Sequence, residues 1–327
     1  MLEKNMHIRW LPIIFLFGAV SFYLLIGLRG WGEPDLEQTN RASREQVVEV
    51  EDFTTDERGT ADDYSKAIQQ AIDFCVTYKK EKVMFRANKK YVVQSGFTVK
   101  EGVKLEFGQN SILVVKGNER VITVEKDAVI INGTVQIVDP DFQSEVIFLK
   151  GTDRFDATNR TRIENMAIIN KSESYKGTGL SLYAKGPWHN ISFVHFENIS
   201  IVGFQTGIQL KAENPKDETY SWINANRFEN VSLDDCVFGI RLVGSISIPN
   251  ECSGNYFTGL QVQLTEHTEQ FIKADGSYNK FEGMVWDVQR IRHSAPLVVL
   301  TAETENNQLD LNIADEWIND RGQKNSY

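Results

Sequence analysis

The chain has 327 residues, 41% of them hydrophobic and 24% charged, with a net charge of −10. That length can bury a large core, and the composition is that of a folded chain rather than a disordered one. The acidic balance argues against the cationic clusters that supply most of the affinity for a phosphate backbone, so no nucleic-acid partner is expected, whereas neutral glycans and cations are compatible with it.

Residues 10–28, WLPIIFLFGAVSFYLLIGL, carry no charge. As a helix rising about 1.5 Å per residue they would extend roughly 28 Å, close to the thickness of a bilayer's hydrocarbon core. A cleaved secretory signal would have a shorter apolar run followed by a small-residue cleavage site. This run ends in LLIGLRGWG, which favours an uncleaved single-pass transmembrane helix. Lys4 and Arg9 precede the span, and Glu33, Asp35 and Glu37 follow Arg29. The positive-inside bias then places residues 1–9 in the cytoplasm and the bulk of the chain outside the cell membrane. Residues 29–46 are polar and aperiodic, and read as a stalk.

The folded body is expected over residues 47–327. VVEVEDF alternates in the manner of a strand. In TADDYSKAIQQAIDFCVTYKK, the residues Ile68, Ala71, Ile72, Cys75 and Val76 fall at helical spacing, and Thr60 or Asp62 can accept from the free amides of a first turn. This predicts an amphipathic helix around Ser65 to Tyr78. From Lys82 onward the pattern is short strands punctuated by Gly, Asn and Asp, such as VKLEF at 103–107 and AVIINGTVQIVD around an Asn-Gly turn.

An internal repeat decides the architecture. FENISIVGFQTGIQL (196–210) and FENVSLDDCVFGIRL (228–242) share seven of fifteen residues. Shorter echoes start at Ile163, Phe257, Phe281 and Leu309, so successive units are offset by 33, 32, 29, 24 and 28 residues. Strand-only repeats of this length form solenoids in which each coil buries its apolar side chains against its neighbours. Asn226, Asn255, Asn279 and Asn307 recur two residues before the large apolar residue. Asparagine suits turns, and identical amides stacked one strand spacing apart can bond each other, so an asparagine ladder and an all-β parallel β-helix are expected. Six N-x-[ST] matches, at Asn132, Asn159, Asn170, Asn190, Asn198 and Asn230, then read mostly as structural turns. Of the three cysteines, Cys236 and Cys252 could pair in an oxidising exterior; otherwise they are small core residues.

VEVEDFTTDERGTADDYSKAIQQAID, followed by VMFRANKKYVV and GVKLEFG, resembles the N-terminal signature of the pectate-lyase superfamily. The resemblance covers roughly residues 47–320 and implies a right-handed single-stranded parallel β-helix with an N-terminal capping helix. Its members include lyases, glycoside hydrolases, tailspikes and proteins without known catalysis, so it implies a polysaccharide partner without fixing an activity.

LDDCVFGI resembles the aspartate pair of polygalacturonase-type hydrolases, in which one carboxyl protonates the glycosidic oxygen and another activates water. Asp234 and Asp235 are therefore the candidate catalytic pair. The N-T-D and G-H-G runs of those enzymes are absent, and the repeat aligns the pair with Val202 and Gly203, so a solvated corner is the favoured reading. Arg290 and Arg292 echo the basic residues that hold substrate carboxylates in that family. A lyase would need further acids beside Asp234, Asp235 and Arg241, such as Glu251 or Asp275. No cofactor is implied apart from calcium, which prefers 6–8 oxygens, more than two aspartates supply. Trp188, Trp222, Trp286, Tyr220, Tyr256 and Tyr278 read first as core or loop packing, with Trp286 beside Asp287 as the candidate glycan contact. His293 reads as a bystander. Because each enzymatic motif is incomplete, polysaccharide binding is favoured over glycoside hydrolysis or lyase action on a uronate-containing glycan.

Overall fold

The computed structural model describes residues 46–54, 62–153, 155, 160–216 and 218–327. The transmembrane helix expected at 10–28, the cytoplasmic segment 1–9 and all but the last residue of the stalk 29–46 lie outside the described residues. Among the described residues no helix is long and apolar enough to cross a membrane.

The unit Val47–Tyr327 is a parallel β-helix built from three sheets of thirteen, nine and three strands among the described residues. A full coil takes one strand from each, as in Asn190–Ser192 of the third sheet, His195–Val202 of the first and Thr206–Ala212 of the second. The next coil repeats the order with Ser221–Asn224, Arg227–Asp234 and Phe238–Val243. Parallel strands cannot be joined by tight hairpins. Winding the chain around a core meets that constraint.

The repeat offsets are the registers of the first sheet. Ile163 pairs with Phe196, Phe196 with Phe228, Phe228 with Phe257, Phe257 with Phe281 and Phe281 with Leu309. The four phenylalanines are fully buried, and their rings stack at centroid distances of 4.5, 4.3 and 5.1 Å. Burying each such side chain stabilises the fold by about 1.5–3 kcal/mol.

The Phe-Glu-Asn unit has a conformational cause. Asn165, Asn198 and Asn230 have φ of 54°, 55° and 55°, a left-handed conformation that asparagine tolerates better than most residues. The bend lets Glu197 and Asn198 both face outward before Ile199 returns to the core, instead of alternating strictly. Each exposed amide bonds the one before it: Asn165 to Asn132, Asn198 to Asn165 and Asn230 to Asn198, at 3.0, 3.0 and 3.2 Å. Three sequon asparagines, 132, 198 and 230, thus belong to a ladder in their own right. Asn170 and Asn190 are buried, and Asn159 lies outside the described residues.

The expected ladder is a second and buried one. Asn226, Asn255, Asn279 and Asn307 are completely inaccessible. Each Nδ2 donates to the next Oδ1 at 2.9–3.1 Å, and Asn307 donates in turn to Asn325.

The helix spans Ser65–Thr77 and buries Ala67, Ile68, Ala71, Ile72 and Cys75 against the first strands. Its first turn is satisfied by Asp63 rather than Asp62: the Ser65 N–H donates to Asp63 Oδ1 at 2.9 Å; Thr60 lies outside the described residues. The N-terminal signature also builds a buried contact, in which Tyr91 donates its hydroxyl to Glu51 at 2.5 Å and accepts from the Arg86 N–H at 2.6 Å. Cys236 and Cys252 do not pair; all three cysteines are free and buried, where they fill core volume as small apolar side chains.

Candidate functional site

Asp234 ends its first-sheet strand, and Asp235 opens the corner to Phe238–Val243. At φ 52°, Asp235 holds the conformation that Gly203 holds one coil earlier. Its carboxylate is fully engaged. Tyr175 donates its hydroxyl to Oδ2 at 2.6 Å, Thr265 donates to Oδ1, and His267 Nδ1 lies 3.0 Å from the same oxygen. The Tyr175 and His267 rings meet at 4.2 Å. The intervening corner, residues 203–205, is short, so the longer loop 171–177 reaches across it. Burial opposes ionisation of Asp235, but the hydrogen bonds from Thr265, Tyr175 and His267 outweigh it and hold the carboxyl below its ordinary pKa. Burial, and then the same bond, push the Tyr175 hydroxyl well up.

Asp234 behaves oppositely. Among the described residues its carboxylate has no hydrogen-bond partner. Burial first, and then the Asp235 charge, raise its pKa, while Arg290 pulls it down.

Successive corners bring other expected residues to this edge. Trp286 aligns with Asp234 through Gln263 and is bonded to Gln261 at 3.0 Å; Asp287 accepts from Gln263 at 2.5 Å. Arg290 pairs with Glu266 at 2.8 Å, and Arg292 is exposed. His293 Nε2 faces the Thr268 carbonyl at 3.0 Å. Arg241 is not part of this edge: it lies on the second sheet between Gln209 and Lys273, over the Phe238 ring. Nor do the further acids converge. Asp275 accepts from the Gly244 N–H and Thr301, and Glu251 lies on the third sheet. Among the described residues no three His, Cys, Asp or Glu side chains are grouped to hold a metal ion.

The larger concavity is elsewhere, at the start of the first-sheet strands. A cleft of about 920 Å³ opens there, walled by Lys104, Arg162, His195, Glu164, Glu197 and Phe193. The repeat generates its charge pattern. The outward residue before the core residues Ile163, Phe196 and Phe228 forms a column of Arg162, His195 and Arg227, and the one after them a column of Glu164, Glu197 and Glu229. Arg162 and Glu164 pair at 3.3 Å. A smaller cleft of about 410 Å³ adjoins it and shares Phe193.

The aromatics are not core residues. Trp188, Trp286, Tyr256 and Tyr278 are 46–63% exposed, and Trp222 and Tyr220 are half-buried. Phe193, which the sequence did not single out, is 51% exposed. The available signal was its place two residues before the basic column, where a large apolar side chain has no core to enter.

No family model matches the chain, and no curated protein matches it. Among solved structures it is similar to the tailspike protein of E. coli bacteriophage HK620. A double mutant aligns at 11% identity over 86% of this chain and 64% of that one, with a TM-score of 0.42. Another double mutant, in complex with a pentasaccharide, aligns at 11% identity over 88% and 66%, with a TM-score of 0.46. The chain thus spans about two thirds of the tailspike's length. A putative glycosyl hydrolase from Parabacteroides merdae aligns at 12% identity over 71% of this chain and 97% of that one, with a TM-score of 0.27.

Proposed function

We propose that this protein binds a polysaccharide along the outward face of its first sheet, with the 920 Å³ cleft as the principal site. The observation that carries the reading is the cleft's wall, where cations and carboxylates stand in adjacent columns beside the exposed ring of Phe193. A sugar presents hydroxyls to the charged groups and an apolar C–H face to the ring. In the same proposal, the body is a right-handed helix of the pectate-lyase type with helix 65–77 covering its first coil. The uncharged run 10–28 anchors it to the membrane with the body outside.

The test is an array of neutral, uronate-bearing and amino-sugar glycans probed with the full-length chain in detergent. Binding that is lost in Phe193→Ala and Arg162→Ala supports the reading. Binding to nothing on the array, or binding unchanged in both variants, overturns it. The same mixtures, assayed for new reducing or unsaturated ends, test the enzymatic alternative. Of the aspartate pair Asp234 is the unengaged member among the described residues, so turnover abolished by Asp234→Asn would establish hydrolysis or elimination there.

A further inference from the structure

The residue just before each asparagine of the buried ladder, and before Val194 at the equivalent point one coil earlier, is left-handed. Phe193, Ala225, Gly254, Tyr278, Asn306 and Lys324 have φ between 51° and 65° and occupy one corner column. Pairing fixes the alignment: Ser192 pairs with Asn224, Asn224 with Ser253, and Ser277 with Glu305, each one residue before a member of the column.

This column makes a shape. Within it Phe193 and Tyr278, 51% and 63% exposed, flank the small residues Ala225 and Gly254. Three coil steps at about 4.8 Å separate the rings by roughly 14 Å. A Cβ added at Gly254 would meet nothing closer than the Ala225 backbone nitrogen at 3.8 Å, so the corner there is uncrowded. Trp222, Asn224, Glu251 and Ser253 line the same 410 Å³ cleft. A left-handed corner favours Gly or Asn, as at Gly254 and Asn306, and a bulky residue there is unfavourable. An exposed phenylalanine and an exposed tyrosine in that conformation contribute little to folding, and strained residues of this kind cluster at ligand clamps.

We infer that the interval between Phe193 and Tyr278 is a second glycan subsite that takes uncharged pyranose units. The inference rests on the polysaccharide-binding reading above and adds the composition of the ligand. Trp222 and the two terminal rings offer apolar faces, and Asn224, Ser253 and Glu251 offer hydrogen bonds to hydroxyls. Among the described residues no cation lines the slot to recognise a uronate, in contrast to the cleft of Arg162 and His195 on the other side of Phe193. One chain crossing the Phe193 corner would therefore place charged units in the large cleft and neutral units in the slot. The ligand is a heteroglycan that carries both.

Two oligosaccharides that bind the full-length chain on the array, one neutral and one alternating uronate with neutral units, are titrated by calorimetry. Ala225→Phe fills the slot with a residue type that the same column already accommodates at 193, and Tyr278→Ala removes an exposed ring. Each is expected to weaken both probes about tenfold or more, as loss of a stacked ring would. Arg162→Ala is expected to weaken only the uronate probe. Slot variants that leave both affinities within about twofold of wild type overturn the inference, because tenfold is the scale of one stacking contact. A loss in Arg162→Ala alone would leave the large cleft standing without the slot. If no glycan binds the wild-type chain, the parent reading falls first.

Discussion

Replacing Asn255 with Ala isolates the contribution of the buried amide ladder. Its Oδ1 accepts from both the backbone N–H and the side-chain amide of Asn226, at 3.2 and 2.9 Å. Its Nδ2 donates to the Ile223 carbonyl and to Asn279 Oδ1, both at 3.1 Å. Truncation leaves two Asn226 donors unmatched and takes a donor from Ile223, all in a completely buried setting. Asn279 Oδ1 keeps the backbone N–H of residue 255, at 2.9 Å. Three unmatched buried groups at about 1–3 kcal/mol each set the loss at about 3 kcal/mol or more. The control is Asn198→Gly in the exposed ladder. Glycine keeps the left-handed backbone, water replaces the lost bonds, and the expected loss is about 1 kcal/mol or less. Urea unfolding followed by both circular dichroism and tryptophan fluorescence measures the two, since a solenoid can lose coils separately and the probes must then diverge. Equal losses in the two variants, or a loss below about 1 kcal/mol in Asn255→Ala, would refute burial as the cause of the difference.

Phe257→Ala opens a cavity between the stacked rings of Phe228 and Phe281; the same urea titration should show a loss of about 3–5 kcal/mol. The two adjacent aspartates should give opposite pH slopes. Asp235 has its pKa lowered in the fold, so its stabilisation is present above the unfolded carboxyl pKa and is lost as pH falls through the folded one. Asp235→Asn or Tyr175→Phe should therefore flatten the acid side of a stability–pH curve. Asp234 has its pKa raised, so it favours the fold at low pH and disfavours it once ionised. Asp234→Asn should then stabilise the protein at neutral pH and change little below about pH 4, where the unfolded carboxyl is protonated. Burial pushes the Cys236 thiol up to about 12 and raises Cys75 and Cys252 as well. All three should resist a thiol-labelling reagent at pH 8 until denaturant is added, and labelling of the native chain would contradict their burial.

The register of the first sheet was legible because a parallel stack repeats its core residue at the same point of every coil. Offsets counted between Ile163, Phe196, Phe228, Phe257, Phe281 and Leu309 had to equal strand registers once those side chains shared one column. Phe228, Val231, Leu233 and Ile240 are core residues for the same reason. The direction of the aromatics was not legible. Tyr278 sits beside core residues in sequence and is turned outward by a left-handed corner that breaks strand alternation, whereas Trp222 takes an outward position in a regularly alternating strand. The partners of Asp235 were hidden too. Tyr175 lies 60 residues away and reaches it only because the intervening corner is short.

Conformation at the corners, more than composition along the strands, separates scaffold from site in this protein. Strand positions facing inward are fixed by stacking: a change at Phe257 is felt by Phe228 and Phe281 on either side. The left-handed corners at Phe193, Ala225, Gly254 and Tyr278 are at least partly exposed, and the backbone preference there is for Gly, Asn and Asp. The pair first singled out by its chemistry, Asp234 and Asp235, sits at a corner where Tyr175, Thr265 and His267 consume one carboxylate in tying three coils together. At the opposite corner Phe193 and Tyr278 tie nothing together and expose rings at a conformational cost. A corner residue that satisfies its neighbours is explained by the fold it holds. The proposed recognition on the Phe193 side of the first sheet rests instead on exposed rings held against the backbone preference, so the variants that decide it are Ala225→Phe and Tyr278→Ala rather than Asp235→Asn.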